Sequence, residues 1–402
     1  MEIKKYPHDK LYLVAVSGGP DSMALLSLLK DSNYQVIVCF VNYHHRNNVD
    51  EEQKMVEDYV RSLSYRLEIK HCYFDNSDNF ENWAREQRYD FFAEMMKKYR
   101  AESCFVGHHL DDLIETYFLQ LERGYVNYYG LKEQVSIKGV EIIRPLLKYS
   151  KASLLDYCLT NHIPYSYDYT NEDISLKRNY LRHRVLKDIS YLDKDKILLE
   201  IAQKNQEIDL INKKIEKLLS DELNINDFNK LSLEEQDRLI FRYVNKYSNL
   251  TLSKRRIGEV KRKLLKKGNV VIDLDDNYQL IKEYDSLNLV KKELYNYCIV
   301  VNEPTIIEND YIKFDLVSAP KKFFIKSDSY PLTIRNASKG EKIKIGKIHK
   351  SINRILIDEK IPYLKRLYWP EIVNNKNEII FVPRRDIDED GLFIVKSKKN
   401  ML

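Results

Sequence analysis

The sequence predicts an α/β protein: a doubly wound parallel-sheet N-terminal domain, a helical linker, a small α+β middle domain and a β-rich C-terminal domain. Three observations carry this. An apolar, β-branched run from Leu11 to Val16 breaks at Gly18-Gly19 and resumes with apolar residues at helical spacing, so a buried strand turns sharply into a helix. Apolar strands then alternate with amphipathic helices as far as Arg184. Beyond Glu303 short strands dominate.

The first turn, Ser17-Gly18-Gly19-Pro20-Asp21-Ser22, is where chemistry begins. A strand-to-helix loop aims free backbone N–H groups at the helix start, where the helix dipole adds partial positive charge; phosphate fits there. Gly18 and Gly19 leave the backbone bare, Ser17 and Ser22 offer hydroxyls, and Asp21 is suited to a Mg2+ that bridges phosphate oxygens. No Lys follows the glycines, so this is not the Walker A loop that grips a transferring γ-phosphate. A different phosphate chemistry is implied.

Taken in order, Tyr34 to Asn42 reads as a buried parallel strand ending in Asn42-Tyr43-His44-His45-Arg46, followed by a helix from about Asp50 to Ser64. A strand from Arg66 to Tyr73 comes next, then a helix capped by Asn79 that carries Arg85 and Arg88 within one turn of each other. The strand Cys104 to Gly107 feeds a helix from Asp111 to Arg123, on which Asp112, Glu115 and Thr116 share a face. Ile142-Ile143-Arg144-Pro145 ends another strand and leads to a helix from Lys151 to Asn161. Arg178 and Arg182 share a face further on, beside Asn171 and Asn179, a pattern suited to a phosphate backbone or a base. In doubly wound sheets ligands sit beyond the carboxyl ends of the strands, where each of these polar clusters falls. Lys194 to Leu219 reads as a charged connecting helix, and a strand pair around Val270–Asp273 and Gln279–Lys282 marks the middle domain.

Composition narrows the function class. At 402 residues with 32% charged side chains the chain is a multi-domain globular protein; it has no apolar run long enough for a membrane span, and Met1 to Lys10 is too polar for a signal peptide, so a cytoplasmic location is expected. Five scattered cysteines without a CxxC pair indicate neither a disulfide framework nor a zinc ribbon. Net charge is only +5, but Lys321 to Leu402 holds 19 Lys and Arg against 10 Asp and Glu, and a second basic cluster runs from Lys254 to Lys267. Basic surface in a chain with 30 tyrosines suits a polyanion whose bases can stack.

The glycine turn resembles the pyrophosphate loop of the N-type ATP pyrophosphatases, which cleave ATP between its α and β phosphates. The resemblance becomes specific when the motifs are read together. The loop, Ala84-Arg85-Glu86-Gln87-Arg88-Tyr89, His108-His109-Leu110-Asp111-Asp112 with Glu115-Thr116, Arg144-Pro145-Leu146-Leu147, Asp168 to Asn171 and Arg178-Asn179 with Arg182 stand in the order seen in tRNA(Ile)-lysidine synthetases, and Arg335, Gly340, Pro362, Arg366 and Pro370 match the same family's C-terminal domain. One departure is visible. Where the family usually has a His before an Arg, this chain has Tyr43-His44-His45-Arg46, and that histidine's role falls on no single residue here.

The resemblance implies a ligase that joins free L-lysine to C2 of the wobble cytidine in the CAU anticodon of tRNA(Ile), through an adenylated cytidine, with release of AMP and pyrophosphate. The product, lysidine, changes codon specificity from AUG to AUA and identity from methionine to isoleucine. It further implies ATP held by Ser17, Gly18, Gly19, Pro20, Asp21, Ser22 and His108, and Mg2+ on Asp21 and Asp112. Catalysis would fall to Asp21, Asp112, Glu115 and Arg178, and contact with tRNA or lysine to Arg85, Arg88, Asn171, Arg178, Asn179, Arg182, Arg335 and Arg366. Residues 1–188 would form the catalytic domain, 189–222 the linker, 223–302 the middle domain and 303–402 the basic tRNA-binding domain.

Overall fold

The structure is a computed structural model that describes residues 1–3, 6–45, 49–75, 79–166, 191–292, 297–318, 320–338, 340–388 and 390–396. Asn171, Arg178, Asn179 and Arg182 lie outside the described residues. The chain divides into two compact units, Met1–Leu210 and Ile211–Leu402.

In the first unit, β1 (Leu11–Val16), β2 (Gln35–Asn42), β3 (Arg66–His71), β4 (Cys104–Val106), β5 (Gln134–Ile137) and β6 (Val140–Ile143) form one sheet in the order β3-β2-β1-β4-β6-β5. All neighbours are parallel except β5, which joins β6 as an antiparallel hairpin. That edge strand, Gln134-Val135-Ser136-Ile137, is short, and its alternation of polar with apolar residues is the period-2 pattern of a half-buried strand. The helices are α1 (Pro20–Asp31), α2 (Val49–Ser62), α3 (Phe80–Tyr99), α4 (Leu110–Arg123), α5 (Lys151–Thr160) and the start of α6 (Tyr191–Ile215). As the sequence predicts, Asn79 caps α3 by accepting from Asn82 N.

Strand periodicity sorts the core onto two faces. On one, Tyr12, Val14, Val36, Val38 and Phe40 meet Met23 and Leu26 of α1, Val56 and Val60 of α2, and Leu154 and Cys158 of α5. On the other, Leu13, Ile37, Cys39 and Ile142 meet Phe91, Phe92 and Met95 of α3. Fully burying each such side chain contributes about 1.5–3 kcal/mol. Four of the cysteines are buried in this unit, and burial pushes the thiols of Cys39 and Cys158 up to about 12 and about 11. They pack as small apolar residues.

The second unit opens with β7 (Glu222–Asn224), α7 (Ile225–Asn229), α8 (Leu233–Ser248) and α9 (Lys254–Leu264), followed by β8 (Val270–Asp273), β9 (Tyr278–Glu283) and β10 (Ser286–Lys291); the four strands make an antiparallel sheet, β7-β10-β9-β8. Lys282, mostly buried, donates to the carbonyls of Leu264 and Lys266 at 2.7 Å and so closes the C-terminus of α9. The basic cluster on α9 is partly neutralised: Arg256 pairs with Glu259, and Lys261 with Asp237.

The rest of this unit is β-rich. Strands β11 (Cys298–Val301), β14 (Leu332–Asn336), β17 (Pro370–Val373) and β18 (Ile379–Phe381) form one sheet, β12 (Ile306–Glu308), β13 (Ile312–Asp315) and β19 (Phe393–Val395) a second, and β15 (Lys342–Ile345) with β16 (Ile348–Ser351) a hairpin. Phe314, Phe323 and Phe393 fill the space between them together with Ile334 and Ile372. Trp369 is fully buried, and its indole N–H donates to Pro383 O at 2.8 Å.

Candidate active site

Strand order fixes where a ligand belongs. The loop after β1 runs to α1 and the loop after β4 to α4, and these two strands are neighbours at the point where the winding of the sheet reverses. Diverging loops at such a switch point open a crevice beyond the strand ends.

The β1 loop is held in one shape from inside. Gly18 sits at φ +82°, a left-handed conformation that favours glycine, and Gly19 is the N-cap of α1 with Pro20 in its first turn. Ser22 is buried; its hydroxyl accepts from Ser17 N at 3.1 Å and donates to Gly19 O at 3.0 Å, so it shapes the loop. From outside, Ser166 N donates to Gly18 O at 2.8 Å while its hydroxyl donates to Glu52 on α2. The backbone N–H groups at the start of α1 are thereby presented to the crevice.

The β4 loop comes extremely close. A Cβ on Gly107 would lie 3.1 Å from Asp21 O and 3.2 Å from Ser22 Cα, tighter than ordinary contact, so glycine lets the two loops meet without displacing backbone. Next in the chain, His109 caps α4: its N donates to Asp112 Oδ2 at 3.0 Å and Asp112 N donates to its Nδ1 at 3.4 Å. The other ring nitrogen, Nε2, lies 3.4 Å from Asp112 Oδ2 and 3.6 Å from Asp21 Oδ2. Burial works against charge on this imidazole, but the nearby carboxylates of Asp21, Asp112 and Asp111 outweigh it, and its pKa is raised. Asp21 and Asp112, named together by the sequence, thus meet at one histidine.

Asp21 Oδ1 is buried with no hydrogen-bond partner. Leaving a carboxylate oxygen dry and unpaired is costly, and a hard divalent cation removes the cost. Among the described residues no three His, Cys, Asp or Glu side chains form a metal site by themselves. Two carboxylates completed by phosphate oxygens suit Mg2+, which keeps few protein ligands.

His108, expected to touch the nucleotide, is anchored through one of its ring nitrogens. Arg144 Nε donates to its Nδ1 at 3.1 Å, and Arg144, itself buried, donates from Nη1 to Lys132 O at 2.7 Å. Burial, reinforced by the charges of Arg144, Arg88 and His109 against that of Asp112, lowers the His108 pKa to about 4. At neutral pH it is an uncharged imidazole whose Nε2–H is a donor. Arg88, on α3, donates from Nε to the Tyr43 hydroxyl at 3.2 Å, and Arg85 lies over the Tyr89 ring at 4.8 Å. Glu115 is buried one turn beyond Asp112.

Gly107, His109 and Arg144 are the residues that reasoning from the sequence assigned no role. A capping pattern was present, since His109 and Asp112 stand three apart at a helix start. Asp111 does not cap α4; it accepts from Lys151 N at 2.7 Å at the start of α5 and pairs with Lys194 of α6.

Arg335 and Arg366 lie in the second unit, where glutamates hold them. Arg335 donates to Glu341 and, from Nε, to Glu371 at 2.9 Å. Arg366 lies 3.6 Å from Glu283, whose carboxylate also accepts from Tyr363 N. Glu371 is fully buried; burial and the nearby Glu341 push its carboxyl up to about 7 despite Arg335.

The PP-loop domain family matches residues 2–189. Along nearly the whole chain, a tRNA(Ile)-lysidine synthase of Mycoplasma mycoides is 36% identical over 92% of this chain and 96% of that protein. One from Mesoplasma florum is 32% identical over the same shares, and one from Streptococcus gordonii is 29% identical over 96% of this chain and 94% of that protein.

Proposed function

Because this chain belongs to the tRNA(Ile)-lysidine synthase family, we propose that the crevice between the loops after β1 and β4 is where it activates a cytidine of tRNA(Ile) and joins it to lysine. The protein is an ATP-using, tRNA-modifying ligase. The observation that carries the placement of its chemistry is the meeting of Asp21 and Asp112 at His109, beside backbone N–H groups at the start of α1.

The C2 carbonyl of cytidine is amide-like and has no leaving group. Its oxygen attacks the α phosphorus of ATP, the bond to the β phosphate breaks, and pyrophosphate departs into the loop Ser17 to Ser22, whose N–H groups and helix dipole stabilise the anion. The ε-amine of lysine then attacks C2, the C2–O bond breaks, and AMP leaves. The amine attacks in its neutral form and gives up a proton, which the carboxylate face of Asp112 and Glu115 accepts. His108, neutral and held by Arg144, donates from Nε2–H toward the nucleotide. Mg2+, when bound, would be held by Asp21 and Asp112 and would offset charge between the α and β phosphates.

Arg85 and Arg88 stand exposed on α3 at the same end of the sheet and serve the RNA or the lysine carboxylate. Asn171, Arg178, Asn179 and Arg182 follow in the chain and are assigned to the same substrates from their motif alone. We read residues 1–188 as catalytic, 189–222 as linker, and 223–302 and 303–402 as RNA-binding. No helix among the described residues is long and apolar enough to cross a membrane.

The test is direct. Incubation with CAU-anticodon tRNA(Ile), ATP, Mg2+ and labelled L-lysine should yield lysidine by nucleoside mass analysis, with AMP and pyrophosphate in equal amounts. Formation of ADP, or label that never enters the RNA, would overturn the reading.

A further inference from the structure

A row of rings lies past the ends of β2 and β3. Asn42 and His71 are register partners at the last pair of these strands, and His44 and Tyr73 each stand two residues beyond. The Tyr73 ring stacks on His44 at 4.5 Å with the planes only 4° apart; His44 stacks on His71 at 5.0 Å, and their Nε2 and Nδ1 atoms are hydrogen-bonded at 2.9 Å. Beside them His45 stacks on Phe80 at 4.1 Å. Tyr73 ends the row with 73% of its surface exposed, and His44, His45 and His71 are exposed as well.

Folding alone does not account for this arrangement. Rings stacked in water bury little apolar surface. The backbone is moreover forced: His44 sits at φ +47°, and the fully buried Asn42 holds it there by accepting from His44 N at 2.9 Å, while Asn42 Nδ2 donates to Gln53.

We propose that the His71–His44–Tyr73 row is a stacking shelf for an unpaired base of the tRNA anticodon loop, next to the cytidine being modified. This rests on the functional reading above. Position favours RNA as the occupant. β3 lies two strands from β1, so at about 4.8 Å per strand the shelf stands on the order of 10 Å from the phosphate loop, at the same end of the sheet. That is the reach of a neighbouring nucleotide. Arg88, bonded to the Tyr43 hydroxyl and close enough to His108 for its charge to act there, lies between the shelf and the crevice and suits the linking phosphate. Unpaired RNA bases are held by stacking on aromatic and histidine rings.

The experiment uses the full chain with tRNA(Ile) carrying 2-aminopurine at single anticodon-loop positions beside the modified cytidine. Binding of the unsubstituted chain should quench at least one label. Tyr73→Ala should abolish that quenching and weaken tRNA binding roughly tenfold or more. Tyr73→Phe, which keeps the ring, should retain both, and ATP binding without RNA should be the same in all three. His44→Ala removes the next ring and is expected to act in the same direction. Wild-type affinity and quenching in Tyr73→Ala would overturn the shelf while leaving the ligase reading intact. Loss of ATP binding in that variant would overturn it differently, by making the occupant the adenine of ATP. An unsubstituted chain that neither binds nor modifies the tRNA would overturn the ligase reading and the shelf with it.

Discussion

Gly107 and Asp21 touch so closely that a methyl group between them would be crowded: a Cβ on Gly107 would lie 3.1 Å from the Asp21 carbonyl oxygen, and the backbone there would have to give by a few tenths of an ångström. The obstacle is rigid backbone at the start of α1. Gly107→Ala should therefore push the β4 loop off the phosphate loop, raising KM for ATP at least tenfold, with tRNA affinity changed less than twofold. Steady-state kinetics and a filter-binding titration check both. An unaltered KM would mean that the loops separate freely.

Asp21 tests the metal and phosphate assignment. Asp21→Asn keeps the size of the side chain and removes its charge, so AMP formation should fall by two orders of magnitude or more while tRNA affinity stays near wild type. The same change removes a partner that raises the pKa of His109, whose ring resonances should then titrate at lower pH. A parallel loss of tRNA binding would show that the role is misassigned.

Glu371 gives a pH signature to the second unit. Its folded pKa, about 7, lies above the ordinary carboxyl value, so the folded state holds the extra proton and the stability it contributes is present at low pH and lost as pH rises from about 4.5 through 7. Glu371→Gln, uncharged throughout, should flatten that fall and leave the variant about 1–2 kcal/mol better off relative to wild type at pH 8 than at pH 5. Thermal midpoints across this range decide it; parallel curves would mean that Glu371 is ionised in the folded protein at all these values.

The β15–β16 hairpin carries Lys342, Lys344 and Lys347 on exposed positions. If it lies along RNA, replacing the three by Gln should lower the slope of log K against log salt by about two to three, in proportion to the phosphates released. An unchanged slope would place the RNA elsewhere. Lys339, from the same basic stretch, lies outside the described residues.

Much of this was legible in the chain itself. A strand, a glycine pair and a helix in succession declare a phosphate loop, because no other residues leave that backbone bare; alternating periodicities declare a parallel sheet, because each pattern buries only one kind of element. The order of motifs then pointed to the family to which the relatives belong. What was not legible is partner choice. Arg335 and Arg366 read as contacts for RNA, but their neighbours inside the protein, Glu341, Glu371 and Glu283, could not be read, the last coming from a strand some eighty residues away. His109, not its neighbour His108, meets Asp21, because a one-residue step at a strand end turns a side chain to the other side. Sequence determined which chemical groups exist and which elements carry them. Only the packed structure decided which groups are desolvated together, since that depends on distances between segments far apart in the chain, and desolvation sets both their pKa values and the strength of their pairing.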